Sequence, residues 1–520
     1  MQKENIPLDE TDCFSSLFID YINQKPELKP YYTDFPSIDN FQWTIDNRNF
    51  PKANRTVLVE ALERQYQGLL VSGRVTENIK SLGLENTFTV TTGHQLNIFT
   101  GPLYFIYKIV TVINACKDLK KKYPKQNFVP VYWMASEDHD FDEINHFYFD
   151  QKKYQWDSDQ KGAVGKFQLD GIEEILNQLP AGIDFFKEAY AKGTLAEAGR
   201  HYVNHLFGDE GIVVVDADDS SLKTVFTPVI EDDLFNHSAQ KASAQDTEGL
   251  QALGYKTQVS AREINFFYLA DNVRERIEKN GDRFQVVDTD IQFSESEIRQ
   301  LLKDHPEKFS PNVILRPLYQ ETILPNLAYV GGPSEAVYWL QLKSIFAHFK
   351  TPFPLLMPRN FALVISNNDA SKWKKTELSF TDLFLSKDQA FGKWVTSNST
   401  QNLSYSAELS QINTLYQELG EKASAVDPTL KQHLEALAAT AEKKLEKAEK
   451  KLLRAEKRKH TNSQDQINGV KDVLFPSGSL QERHDNFLNF YLSNPQFIQT
   501  LLDTFDAFEY SMYLLFDENN

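Results

Sequence analysis

Thr87–Ala135, TFTVTTGHQLNIFTGPLYFIYKIVTVINACKDLKKKYPKQNFVPVYWMA, decides how this chain folds. It opens on a β-rich run, TFTVT, and closes on a second, FVPVYWMA. Between them, GPLYFIYKIVTVINACKDLKKKY has Pro102 near its start and lysines at its end, the marks of a helix. Strand, loop, helix and strand form the unit from which a parallel, doubly wound sheet is built.

The pattern continues on both sides. Upstream, ANRTVLVEALERQYQGL places Val57, Leu58, Ala61, Leu62 and Tyr66 at helical spacing. Downstream, Gly211-IVVVDAD reads as a strand buried on both faces. Asp219 to Leu253 reads as helix, and Val164–Leu169 and Ile264–Ala270 as extended. VILRPL from Val313, AYVGG from Ala328, PLLMP from Pro354 and ALVIS from Ala362 are further predicted strands. A helix over Glu335–Phe349 gives a second β–loop–α–β unit.

Composition changes after about residue 400. Leu434, Leu437, Ala441, Leu445, Ala448, Leu452 and Ala455 recur at spacings of three and four, close to a heptad seam. A long helical hairpin or coiled coil is expected, with the basic run KKLEKAEKKLLRAEKRK as its solvated face. Two helices, from Gln481 and from Pro495, are expected to follow LFPSGSLQER.

Across 520 residues the charge is −18, with 41% hydrophobic and 25% charged residues. That composition suits a packed core and disfavours a general nucleic-acid binder. Cys13 and Cys116 are the two cysteines, so no disulfide framework is expected and a reducing compartment fits. MQKENIPLDE lacks the features of a secretory signal, and LYFIYKIVTVI is interrupted by Lys108 and too short to span a bilayer. A cytoplasmic protein without membrane attachment is the expectation.

Three segments carry candidate chemistry. Thr92-Gly93-His94-Gln95 lies between strand and helix, where a tight turn and a helix N-terminus would bind the anionic part of a nucleotide. The same stretch can equally be an ordinary helix start. Glu137–Glu143, with Asp138, His139, Asp140 and Asp142, follows FVPVYWMA and so falls on the ligand-binding edge of an α/β sheet. Carboxylates beside a histidine can act as general bases or hold Mg²⁺, and can also form a solvated acidic loop. Gly331-Gly332-Pro333-Ser334 precedes a helix, with Ser334 as a plausible N-cap, and would hold a second anionic group or simply cap that helix. Arg316, in an apolar predicted strand, and Arg359 are candidate clamps for a carboxylate, joined by Lys108. No GxSxG occurs, and Cys116 sits inside a predicted helix, so nucleophilic catalysis finds little support.

Together TTGHQLNIFTGPLYFIYK, VPVYWMASEDHDFDEINH, ILRPLYQETILPNLAYVGGPSEAVYWLQLK and LFPSGSLQER resemble the bacillithiol synthase family, over nearly the whole chain. The resemblance implies an α/β, Rossmann-like core with connecting insertions, related in shape to class I aminoacyl-tRNA synthetases. It also implies an α-helical coiled coil that supports a homodimer. The expected boundaries are 1–85 for a helical segment and 86–380 for the core, with insertions near 151–205 and 235–310. The coiled coil would occupy 381–470, and 471–520 would return to the core as helices. The implied reaction joins L-cysteine to the amine of glucosaminyl-malate. Because a carboxylate in water is a poor electrophile, ATP or another nucleotide is expected as activator, and the acidic segment could hold Mg²⁺. Arg483, in the last motif, marks either the active site or a second ligand pocket near the coiled coil. A non-catalytic, nucleotide-binding scaffold that assembles other enzymes is the alternative.

Overall fold

β1 (Thr87–His94), α1 (Tyr104–Lys122) and β2 (Asn127–Met134) form as the opening stretch predicts. The computed structural model of the chain describes residues 2–517. The unit is extended by β3 (Val213–Asp216), α2 (Arg316–Ile323), β4 (Asn326–Gly331), α3 (Pro333–Trp339) and β5 (Leu355–Pro358). The sheet order is β5-β4-β1-β2-β3, and every neighbouring pair is parallel. All eight residues of β1 are buried, as a strand covered on both faces requires. Strand order reverses between β1 and β4, which opens a crevice beyond their C-terminal ends.

Several elements differ from the sequence reading, each for a local reason. Thr92, Gly93 and His94 do not form a turn; they are the last rungs of β1, with Gly93 opposite Trp133 and His94 opposite Met134. The chain reverses later, at Phe99, Thr100 and Gly101, which all have positive φ. A Cβ on Gly101 would lie 2.5 Å from Asn97 Cβ, so the reversal needs glycine there. VILRPL is not a strand: Pro317 sits in the first turn of α2, where its missing N–H costs nothing, and Arg316 begins the helix. Val164–Lys166 is a single 3₁₀ turn rather than extended chain. The helix expected over Glu335–Phe349 is broken between Trp339 and Lys343.

Phe361–Ser366 is a strand, but of another sheet. It runs parallel to Ser511–Asp517, which in turn pairs antiparallel with Gln2–Pro7. The C-terminal segment, expected as helices alone, therefore ends in the middle strand of a three-stranded sheet. A third sheet of five antiparallel strands, including Phe266–Ala270 and Val273–Asn280, is inserted between β3 and α2.

The helical arm consists of α4 (Ser406–Ser424) packed on α5 (Thr429–Lys457), with α6 (Thr461–Leu474) returning to the core. Leu452 and Leu453, at the foot of α5, pack against the main core. The lower end of the heptad-like seam is thus used within the chain. Among the described residues no helix is long and apolar enough to cross a membrane.

Candidate active site

The crevice at the β1/β4 reversal widens into a cavity of about 950 Å³. Its floor is built by the last residues of β1. A Cβ on Gly93 would lie 3.2 Å from Tyr329 Oη and 3.5 Å from Arg316 Nη1, so glycine lets both side chains close over the strand end. Lys108, in the second turn of α1, is buried and donates to Gly93 O at 2.8 Å and to Glu335 at 2.5 Å. Glu335 also accepts from Tyr329 Oη (2.6 Å) and from Gly332 N–H (2.8 Å). Burial pushes the Glu335 pKa up, but Lys108 and these donors outweigh it and bring it down to about 2.

The glycine segments therefore do not cradle phosphates. Gly93 lies inside the strand, Thr92 donates its hydroxyl to Val330 O, and the Gly332 N–H is taken by Glu335. Gly332, not Ser334, is the N-cap of α3, because Pro333 begins the helix; Ser334 lies exposed at the cavity wall. Gly331 does not line the cavity. His94 does, wedged against Tyr104 and Phe105 with ring centroids 5.2 Å away. Burial, and then the Lys108 charge, lower its pKa to about 3, so the imidazole is neutral, and its buried Nε2 has no protein partner.

The three expected clamps divide. Arg316 is half-covered by Trp133 and Tyr329 and bonds only neutral groups, Gln320 Oε1 (3.2 Å) and Tyr338 Oη (3.3 Å). No carboxylate among the described residues stands within ion-pair distance of it. Arg359 is instead committed to Glu482 through two bonds of 2.9 and 2.5 Å, both side chains being buried. Only its Nε is left without a partner. Arg483, which follows Glu482, is exposed and lines this same cavity, while Pro476 and Gln481 of the same motif line a second, smaller cavity of about 270 Å³.

The acidic segment is dispersed by its partners. Glu137 is buried with Lys223. Asp138 accepts from Gln95 Nε2 (2.9 Å) and His139 N–H (2.8 Å), with Arg274 at 3.7 Å. Burial acts to raise its pKa, yet bonds from His139 and Gln95 and the Arg274 charge hold it well below the carboxylate range. Asp140 caps the short helix Phe141–Ile144 and Asp142 is exposed; neither lines the cavity, so the catalytic role expected of them is not supported. Glu143 does line it and accepts from Gln95 Nε2 at 2.7 Å. Among the described residues no three His, Cys, Asp or Glu side chains gather to hold a metal ion.

His139 Nδ1 lies 2.6 Å from Arg274 Nη1. A guanidinium only donates, so Nδ1 accepts and the imidazole proton sits on Nε2. The ring is a donor toward the cavity and no general base in this geometry. Sequence reasoning missed Arg274 and the keystone role of Glu335, and it named Glu143 only as the end of the acidic segment. Arg274 sits in the charged strand VRERIEKN, whose alternation was the available signal.

Residues 1–360 match the family model described as bacillithiol biosynthesis BshC, N-terminal Rossmann-like domain, and residues 362–516 match its C-terminal coiled-coil domain. The chain belongs to the BshC family of bacillithiol biosynthesis. A relative from Cytophaga hutchinsonii is 44% identical over 98% of both chains. Another from Flavobacterium johnsoniae is 42% identical over 95% of this chain and 97% of its own. A third, from Christiangramia forsetii, is 40% identical over 98% of both. All three carry the name "Putative cysteine ligase BshC". Family membership makes the chain a ligase with a role in bacillithiol biosynthesis, and assigns the Rossmann-like core and helical arm to its two conserved domain types.

Proposed function

We propose that the protein joins L-cysteine, through its carboxylate, to the amine of glucosaminyl-malate, with ATP or another nucleotide activating the carboxylate. The observation that carries this reading is Arg316, a half-buried guanidinium without a carboxylate partner among the described residues, beside Lys108 at the sheet's reversal. Malate brings two carboxylates and would supply the missing counter-charge. Facing it, Asp138 and Glu143, bridged by Gln95, form an acceptor set suited to an ammonium group.

In water a carboxylate is a poor electrophile and an ammonium is no nucleophile. Activation transfers a phosphoryl or nucleotidyl group onto the cysteine carboxylate. The amine then forms the C–N bond while that oxygen leaves on phosphorus, as phosphate or a nucleoside monophosphate. The ammonium's surplus protons pass to a base and then to solvent. Glu143, bound only through Gln95 at the cavity wall, is positioned to take one. Asp138, held as a carboxylate, orients the amine, and the Nε2–H of His139 donates to an incoming oxygen. Mg²⁺ would arrive with the nucleotide's phosphates, using at most one or two of these carboxylates.

The arm is proposed to pair two copies. Leu415, Leu419, Val426, Leu430 and Leu437 leave apolar surface exposed toward its tip.

The deciding experiment incubates purified protein with cysteine and glucosaminyl-malate, with and without ATP and Mg²⁺, and reads products by mass spectrometry. A cysteinyl amide that requires the nucleotide is expected. No thiol product under any nucleotide condition would overturn the ligase assignment and favour a binding scaffold.

A further inference from the structure

We propose that the phosphates of the activating cosubstrate are held by the inserted antiparallel sheet, on a wall made of Arg262, Arg274 and Arg276 beside Phe267. The inference rests on the ligase reading above for the identity of the ligand, though not for the existence of the site.

Val273–Asn280 pairs antiparallel with Phe266–Ala270, with Phe267 opposite Arg276 and Leu269 opposite Arg274. Residues two apart on a strand share a face, as do directly opposed residues across a pair. Arg274, Arg276 and Phe267 therefore project together, and all three line the large cavity, as does Arg262 from the segment that leads into the sheet. Arg274 is buried and held rigidly: its guanidinium lies 4.1 Å over the Phe267 ring, Nε donates to Ser310 Oγ (3.2 Å) and Nη1 to His139. The Arg262 side chain has no partner among the described residues, and Arg276 holds only the half-exposed Glu278. Asp138 and Glu278 stand within ion-pair distance of Arg274 and Arg276, Glu137 and Glu275 act on Arg274 from further off, and Glu137 is itself paired with Lys223.

The charges of the two amide-forming substrates are already met elsewhere. On the ligase reading, their carboxylates are assigned to Lys108, Arg316 and Arg483, and their ammonium groups to Asp138 and Glu143, all of which line the cavity. On that assignment no substrate group is matched to the guanidinium of Arg262, Arg274 or Arg276, and the Arg262 side chain has no protein partner among the described residues either. Planar forks of this kind match phosphate oxygens in bidentate fashion. The two glycine segments are closed to the task, since Gly93 lies within β1 and the Gly332 N–H is bonded to Glu335. Side chains are then the donors that the cavity offers in number for phosphate recognition. A volume of about 950 Å³ also leaves space beyond a single small substrate.

The test uses inorganic tripolyphosphate as probe, with Mg²⁺, titrated into the full-length protein by calorimetry, and malate as a second probe. The Arg262→Glu/Arg276→Glu variant changes two side chains at the solvent edge; Arg316→Met changes the other end of the cavity. Tripolyphosphate affinity should fall roughly tenfold or more in the double variant, the loss expected for charge-assisted contacts. It should persist in Arg316→Met, and malate should show the reverse pattern. Equal affinity for tripolyphosphate in wild type and double variant, loss in Arg316→Met alone, or no binding to the wild type would each overturn the site. Binding is read without turnover. A protein that holds tripolyphosphate on this wall yet forms no amide would keep the site and remove the ligase reading.

Discussion

Arg316 and Arg359 carry the same group and use it in opposite ways. Arg359 spends both terminal nitrogens on Glu482 in a dry setting. Glu482→Gln leaves that guanidinium buried and unpaired, and urea unfolding should show a loss of about 3–5 kcal/mol. A loss under about 1 kcal/mol would mean that water already reaches the pair. Arg316 bonds only neutral groups, so Arg316→Met should leave the fold intact by circular dichroism while raising KM for glucosaminyl-malate roughly 10–100-fold. An unchanged KM would remove it from substrate binding. For His139, ¹⁵N chemical shifts assigned with a His139→Gln variant should report a proton on Nε2. A proton on Nδ1 would break the link to Arg274. Glu335 has a folded pKa of about 2 against an ordinary 4.5. Its stabilisation is therefore complete above about pH 4.5 and is lost as pH falls toward 2. Glu335→Gln should flatten that acid limb in unfolding measurements; an identical pH profile would contradict the Lys108–Glu335 pair.

At the scale of elements, hydrophobic patterning sufficed where an element is decided locally. TFTVT, FVPVYWMA and GIVVV became buried parallel strands because continuous apolar runs have no other stable place. VILRPL carries the same signal and became a helix start, since Pro317 is pre-set for a first helical turn and the next residues pack as helix. ALVIS was readable as a strand, but its partner lies about 150 positions away in sequence, a distance that periodicity cannot bridge. The site divides in the same manner. Lys108, Arg316 and Asp138 stand in segments whose chemistry is visible in one dimension. Arg274 reaches His139 from an insertion, and that meeting is set by tertiary packing alone. The arm shows a further division: Leu452 serves its own core, whereas Leu430 and Leu437 stay exposed. Lysine at both Leu430 and Leu437 should convert a dimer to a monomer in light scattering without lowering the melting temperature. An unchanged mass would place any self-association elsewhere.

At the scale of the molecule, the cavity is assembled from segments distant in the chain: β1, the acidic segment, the inserted sheet, α2 and the C-terminal motif around Arg483. A ligand that touches all of them should cross-brace them. Glucosaminyl-malate at about 100 times its Kd should add about 2.7 kcal/mol to unfolding stability, read by calorimetry. The sheet that joins Gln2–Pro7 to Ser511–Asp517 carries a different consequence. Its middle strand follows both of its neighbours in the chain, so Gln2–Pro7 and Phe361–Ser366 keep unpaired edges until it is made. This sheet thus closes only after Ser511–Asp517 has been made. A message cut short before the codon for Ser511 yields a product whose first strand has no mate, open to chaperones and proteases, so incomplete synthesis is marked for removal by the architecture itself.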